Sequence, residues 1–466
     1  MLNFENKKVV VVGLANTGLA VLRFLKKRGA HVVAADIMSQ DKLGHYAEEA
    51  LAMGASLDLG PHKTETFSDC DLIVVSPGVP HTIGPLRASR AKGVPVIGEL
   101  ELAARYIHEP IVAITGTNGK TTTTSLVGEM LRASGLDVFV GGNIGQPLID
   151  YVDKGSRADT IVVEVSSFQL DTVESFRPKV GVLLNITEDH LDRYTDFQGY
   201  VRSKGRLFKN QETTDIAVLN RADPWIGYIE KRVRARKLYF NIPMDSSITG
   251  PTLGGQRRGM GERLYGAEMR GDEMICSLPG NPDLILRLAK FKLAGTHNFE
   301  NAAAASLAAL FSGASASGIQ KALETFNGLH HRLEYVKTIN DVAYYNDSKA
   351  TNVGAVSRAL ESFDAPVVLI MGGRDKGGSY AGLGGSVKAR VKKLIAIGEA
   401  KESILAVLGG FTDSQGATSL DEAVCLAEKT GSPGDVVLLS PGGSSFDMFT
   451  DYAERGEAFR RAVESL

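Results

Sequence analysis

The segment Ile111-Val-Ala-Ile-Thr-Gly116-Thr117-Asn118-Gly119-Lys120-Thr121-Thr122 constrains this chain more than any other. A short apolar run of β type feeds a Gly-rich turn, and Leu126, Val127, Met130 and Leu131 then recur at helical spacing. Strand, Gly-rich loop and helix in that order suit a phosphate-binding loop. The glycines let backbone N–H groups close on phosphate oxygens, and the positive end of the helix dipole points at the same place. Lys120 then reaches the β- and γ-phosphates of a nucleoside triphosphate, and the Thr121 hydroxyl sits on Mg²⁺. Ile114 stands where the full G-x-x-x-x-G-K-[ST] pattern has its first glycine. A bare turn between strand and helix is the competing reading.

The rest of the chain is long enough for about three domains. Its 466 residues are 43% hydrophobic and 23% charged, which places them with soluble globular proteins. A formal net charge of −2 gives no electrostatic reason to expect nucleic acid or an anionic membrane. No run approaches the ~18 apolar residues of a membrane span. Cys70, Cys276 and Cys425 are scattered and fit no disulfide or metal framework. A strand starting at Lys8 leaves no room for a secretory leader, so a cytoplasmic protein is expected.

Residues 1–106 open as a βαβ unit: a strand through Val9–Val12, a helix from Thr17 to Arg28, and a strand ending at Asp36. Gly13-Leu-Ala15-Asn16-Thr17-Gly18 nearly matches G-x-G-x-x-G, with Ala15 replacing the glycine that admits a pyrophosphate closely. A nucleotide diphosphate is plausible there, and a tight βα turn is the structural alternative. The central part, 107–327, adds strands ending at Asn143 and Glu164, and a strand Val180–Asn185 running into Glu188-Asp189-His190-Leu-Asp192-Arg193. A buried carboxylate such as Glu164 is costly unless paired or bound to metal. Acids and a His past a strand end suit Mg²⁺ and anions, although a lone His190 is more often a packing or capping residue. A helix follows through Tyr200 and Lys204. Small antiparallel strands and loops are expected over 235–290, and an Ala-rich helix from Thr296. The last part, 328–466, alternates strands and helices, with polar and Gly clusters after the strands, where open parallel sheets bind ligands.

The expected fold is therefore α/β, with three domains each built on an open, mainly parallel sheet. The first is Rossmann-like, the second carries the phosphate loop and a small antiparallel addition, and the third is again Rossmann-like. Three ligand-facing sheet edges around one triphosphate suggest an ATP-driven ligase. An NTP-switched binding protein is the competing class, and it lacks a guanine-selective Asn-Lys-x-Asp motif here. A dehydrogenase is weakened by Ala15 and by the phosphate loop.

Thr115-Gly-Thr-Asn-Gly-Lys-Thr-Thr122, Glu164-Val-Ser-Ser-Phe-Gln169 and Asn185…Asp189-His190-Leu-Asp192-Arg193 resemble the Mur ligases over essentially the whole chain. Asn346-Asp-Ser-Lys-Ala-Thr-Asn352, the Leu-Ser-Pro…Ser445-Phe-Asp447…Phe449 segment ending in Glu454-Arg-Gly456, and Ser76-Pro-Gly78 resemble the branch that adds D-glutamate to UDP-N-acetylmuramoyl-L-alanine. Another Mur or folylpolyglutamate-type ligase is the alternative. The resemblance implies that Asn16, Thr17, Asp36, Ile37 and Gly78 hold the uridine diphosphate, and that Asn143, Gln169 and His190 meet the muramoyl end. It implies that Gly116, Thr117, Asn118, Gly119, Lys120, Thr121 and Thr122 bind ATP, with Asn298, Asn301, Arg332, Asp347 and Lys349 closing from across the cleft. Two Mg²⁺ ions are implied, one on Thr121 and Glu164 and one on His190 and a carbamylated Lys204. Lys120, Glu164, His190, Lys204, Asp347 and Lys349 carry the chemistry in this reading. D-Glutamate falls to Thr351, Lys376, Ser445 and Phe446. The partners expected are these small molecules, with no nucleic acid and no membrane span, around a monomer.

Overall fold

Runs of Val, Ile and Leu without polar interruption form the middle strands of three sheets. Such strands are buried on both faces, which calls for parallel pairing with helices above and below. The structure is a computed structural model that describes residues 3–189, 193–242, 264–280, 282–293, 295–374 and 379–466.

The first sheet contains β1 (Lys8–Val12), β2 (His31–Asp36), β3 (Ser56–Leu59), β4 (Leu72–Val75) and β5 (Val96–Gly98), in the order β3-β2-β1-β4-β5, all parallel. Its opening turn needs its glycines. Gly13 has φ +93°, and a Cβ on Gly18 would lie 2.0 Å from the Gly13 carbonyl oxygen.

The second sheet is built on β6 (Ile111–Thr115), β7 (Val138–Gly142), β8 (Thr160–Glu164), β9 (Val180–Leu183), β10 (Ile216–Asn220) and β11 (Arg236–Phe240). It is extended by β12 (Gly266–Arg270), β13 (Glu273–Ser277) and β14 (Leu284–Arg287). The order is β14-β13-β12-β11-β10-β9-β6-β8-β7. The expectation of antiparallel strands holds for β12, β13 and β14. Arg236–Phe240 departs from it: this strand runs parallel to β10 and continues the main sheet. Its Leu238, Tyr239 and Phe240 are buried, as a strand covered on both faces requires.

The third sheet holds β15 (Glu334–Ile339), β16 (Val342–Asn346), β17 (Val367–Gly372), β18 (Val391–Ile397), β19 (Asp413–Gly416) and β20 (Val436–Gly442), ordered β15-β16-β20-β17-β18-β19. Only β15 is antiparallel to its neighbour among these strands. Three domains, each with a mostly parallel sheet, are thus present as expected.

The first two domains are joined through two buried carboxylates on the helix Glu99–Ala104. Glu101 accepts from the backbone N–H groups of Glu174, Ser175 and Phe176, from the Ser175 hydroxyl and from Arg105. Those donors hold its carboxyl below the usual range against the cost of burial. Glu99 accepts from the Ile149 N–H at 2.7 Å. With so few donors, burial dominates and pushes Glu99 up to about 7.

Candidate active site

Strand β6 delivers the phosphate loop to the middle of the second sheet, and the helix Lys120–Ala133 leaves it. Gly119 caps that helix at φ +84°, and a Cβ there would lie 2.3 Å from Asn301 Oδ1. The glycine therefore allows both the left-handed turn and the approach of the Ala-rich helix Thr296–Leu310. Asn301 and Asn298 are buried on that helix, with the Asn301 amide donating to Asn298 at 3.4 Å. Asn185, at the end of the β9 segment, frames the loop: its Oδ1 accepts from Asn118 N at 2.8 Å and its amide donates to the Asn118 carbonyl at 3.0 Å. Thr117 Oγ1 donates to the Thr187 carbonyl and lies 3.1 Å from the Tyr200 hydroxyl.

Two lysines meet on one carbonyl. Lys120 Nζ donates to the oxygens of Gly116 and Thr117 at 3.0 and 2.8 Å. Lys204 Nζ donates to Gly116 O at 2.7 Å. Lys204 is only 1% exposed, unlike the solvated lysines usual on helix surfaces. Burial first, and then the Lys120 charge, hold its ammonium well below the usual lysine value, against the pull of Asp189, Glu164 and Asp171.

Glu164 ends β8 as a buried carboxylate. Thr121 Oγ1 donates to one of its oxygens at 2.7 Å, and the Asn143 amide donates to the other at 2.9 Å. Arg332, from the third domain, donates to Thr121 Oγ1 at 2.6 Å. Burial lowers the Arg332 guanidinium from its ordinary value, while Glu164 and Asp347 raise it. Asp347 accepts from the Ser440 hydroxyl and from Leu333 N, yet burial pushes it up to about 7. Lys349 Nζ lies 3.4 Å from the centre of the Tyr452 ring.

Thr121 and Glu164 offer hard oxygen donors beside the phosphate loop. Among the described residues there is no cluster of three or more His, Cys, Asp or Glu that would cage a metal alone. That donor set fits Mg²⁺, which keeps waters and completes its shell with phosphate oxygens.

The residues expected to hold a sugar nucleotide line the first domain's sheet edge and its junction with the second. Asn16 is exposed and accepts from Tyr46 OH, Thr17 is half-buried, and Ile37 is 65% exposed. Asp36 is buried, and its carboxylate accepts from Leu14 N and Met38 N at 2.8 and 2.9 Å. It thereby ties the two turns together. The Gly78 carbonyl accepts from Arg193. Gln169 is buried and completes a capping box with Ser166. At the other end, Ser445 is buried, Phe446 is 65% exposed and Thr351 is half-buried. The last helix, Tyr452–Glu464, is capped by Asp451. His190 and Lys376 lie outside the described residues.

Sequence reasoning missed Arg455, Tyr452 and Asn352. Arg455 is 1% exposed. Its guanidinium donates to the Ser348 hydroxyl and carbonyl and to the Gly443 carbonyl, so it braces the Asp347–Lys349 loop against the Gly442–Ser445 turn. Burial brings it down to about 10. The Glu454-Arg-Gly456 motif marked the place, but nothing in the string signalled a buried guanidinium.

Comparison with known proteins covers each domain. Residues 7–98 match the Mur ligase MurD-like N-terminal domain, 114–309 the Mur ligase middle domain, and 331–443 the Mur ligase glutamate ligase domain. The chain is 50% identical over 465 residues to the UDP-N-acetylmuramoylalanine–D-glutamate ligase of Desulfosudis oleivorans, covering 99% of this chain and 97% of that one. It is 49% identical over 465 residues to the enzyme of the same name from Desulfatibacillum aliphaticivorans, covering 100% of both. Among solved structures it is similar in fold to the Thermotoga maritima UDP-N-acetylmuramate–alanine ligase (TM-score 0.57, 18% identity, 99% of this chain and 100% of that one). It is also similar in fold to the Thermotoga maritima MurF ligase in complex with ADP (TM-score 0.59, 15% identity, 100% of both chains).

Proposed function

The chain belongs to the Mur ligase family, and from that premise we propose how its residues divide the work of an ATP-dependent ligase. The enzyme adds D-glutamate to UDP-N-acetylmuramoyl-L-alanine in peptidoglycan precursor synthesis. The observation that carries the division of labour is the convergence of two domains on one hydroxyl: Arg332 donates to Thr121, which donates to Glu164.

A carboxylate is a poor electrophile. In the proposed scheme the muramoyl-alanine carboxylate attacks the γ-phosphorus of ATP, ADP leaves, and an acyl phosphate forms. The D-glutamate amine then attacks the acyl carbon, phosphate leaves with the C–O electron pair, and the amine proton passes to base or solvent. Phosphoryl transfer asks the protein chiefly to position groups and offset charge. Lys120, Arg332 and the loop N–H groups supply that charge, with Asn298, Asn301, Asp347 and Lys349 around the nucleotide. Mg²⁺, held by Thr121 and Glu164 and at a second position by His190 and Lys204, would offset phosphate charge when bound. The depressed Lys204 supports its carbamylation: a neutral amine adds to carbon dioxide, loses a proton and becomes an oxygen donor.

Asn16, Thr17, Asp36, Ile37, Gly78, Asn143, Gln169 and His190 take the sugar nucleotide in this reading, Asp36 through the turns that it ties. Thr351, Lys376, Ser445 and Phe446 take D-glutamate. We place the domain boundaries at 106/107 and 327/328. We further propose a cytoplasmic monomer; no helix among the described residues is long and apolar enough to cross a membrane. The test is phosphate release from ATP with UDP-N-acetylmuramoyl-L-alanine across a panel of D- and L-amino acids. D-Glutamate alone should support full turnover. Equal use of L-glutamate, L-lysine or meso-diaminopimelate would overturn the assignment.

A further inference from the structure

Asn352 ends the Asn346–Asn352 motif and starts the helix Val353–Leu360. Its Oδ1 accepts from Ala355 N at 2.8 Å, the usual work of an N-cap. Its amide nitrogen does something a cap does not require. It donates across the domain boundary to Asn118 Oδ1 at 3.3 Å and to Asp189 Oδ2 at 3.2 Å. Asn118 belongs to the phosphate loop and is held rigidly by Asn185. Asp189 is one of the carboxylates that act on Lys204. The first turn of the same helix presses on the same two loops: a Cβ on Gly354 would lie 3.4 Å from Thr187 Oγ1 and 3.6 Å from Asn118 Nδ2.

We infer that Asn352 is a positioning residue that latches the third domain onto the phosphate loop, so that the loop and Asp189 are set only when the domain is closed. The inference rests on the ligase reading above. Arg332 also crosses the boundary, but it meets Thr121, a group that the phosphate chemistry uses directly. Asn352 instead meets the frame of the loop. A side-chain amide suits this place because it accepts on the cap side and donates on the other. Aspartate would keep the cap and set a carboxylate against Asp189 and Asn118 Oδ1. Serine would keep the cap and fall short of both partners.

The test uses the full chain with Asn352→Asp and Asn352→Ser, both of which preserve the cap and hence the fold. Domain spacing is measured by small-angle scattering with a non-hydrolysable ATP analogue and UDP-N-acetylmuramoyl-L-alanine, and kcat/KM for D-glutamate is measured beside it. The aspartate variant should stay more extended than wild type. It should lose about ten- to a hundredfold in kcat/KM, the scale of a charge-assisted hydrogen bond replaced by repulsion. The serine variant should fall between. Adding Asp189→Asn to Asn352→Asp restores an amide–carboxylate pair and should recover the spacing. Wild-type spacing and turnover in both single variants would overturn the latch. So would lost turnover at wild-type spacing, because Asn352 would then act at the chemistry and not on closure. A wild-type enzyme without D-glutamate-dependent phosphate release would instead sink the ligase reading, since spacing is measured without turnover.

Discussion

Glu99→Gln should stabilise the protein at alkaline pH and do nothing in acid. Glu99 is 2% exposed and rises from an ordinary 4.5 to about 7 because burial outweighs its backbone donors. Between those two values the folded chain binds a proton that the unfolded chain has released. Stability therefore falls as pH rises through this window and levels off above about 7. The gap is about 2.5 pH units at ~1.36 kcal/mol each, so ionised Glu99 costs the folded state about 3 kcal/mol at pH 8. Glutamine keeps the shape and the oxygen that accepts from Ile149 N, and it removes the ionisation. The expected gain is near zero at pH 4.5 and grows to about 3 kcal/mol at pH 8. Glu101→Gln is the control with the opposite sign. Its carboxyl is depressed by Ser175, Arg105 and backbone N–H groups, so the ionised form stabilises the fold and the variant should be weaker at pH 8. Urea unfolding followed by circular dichroism from pH 4.5 to 8.5, with amide exchange at Ile149 to report the junction, measures both. A Glu99→Gln difference that is flat with pH, or a loss at pH 8, would refute the argument that burial governs Glu99.

Lys120→Ala should abolish turnover and weaken ATP binding while leaving thermal unfolding nearly unchanged; near-normal turnover in the folded variant would remove the loop from the mechanism. Lys204→Ala should be nearly inactive and partly rescued by small carboxylates, and Lys204→Arg should not substitute because it forms no carbamate; wild-type rates in the alanine variant would refute a metal-site role. Lys376→Ala should raise KM for D-glutamate by about one to three decades and move KM for ATP far less, the scale of a lost charge-assisted contact; equal shifts in both would argue against an amino-acid subsite.

The phosphate loop was legible because its chemistry is local: strand, glycines, Lys120 and Thr121 are consecutive, and the structure keeps them together. The three sheets were legible for the same reason, since each apolar run declares a strand covered on both faces. Arg236–Phe240 misled because its charged start hides a strand whose second half is buried. Lys204 illustrates the larger limit. A lysine in an amphipathic helix reads as solvated, and only the packing of Tyr200 and the Gly116 carbonyl makes it the most enclosed cation of the loop's surroundings. Asp36 reads as a residue near the uridine diphosphate, and its backbone donors, Leu14 N and Met38 N, were not legible. Arg455 and Asn352 were quoted inside motifs without roles. Their most distant partners lie 107 and 234 positions away, and no local pattern encodes such distances.

The Glu101 junction has a mechanical consequence. Releasing that carboxylate would break a row of hydrogen bonds to a charged group, each contributing about 1.5–3 kcal/mol. The first two domains therefore behave as one casting. In the proposed site, the span from the uridine pocket to the phosphate loop should then be a ruler cut once, at folding. Length selection for the sugar nucleotide would belong to that ruler. A sugar nucleotide with one extra residue before its carboxylate would overshoot the mark, whatever the third domain does.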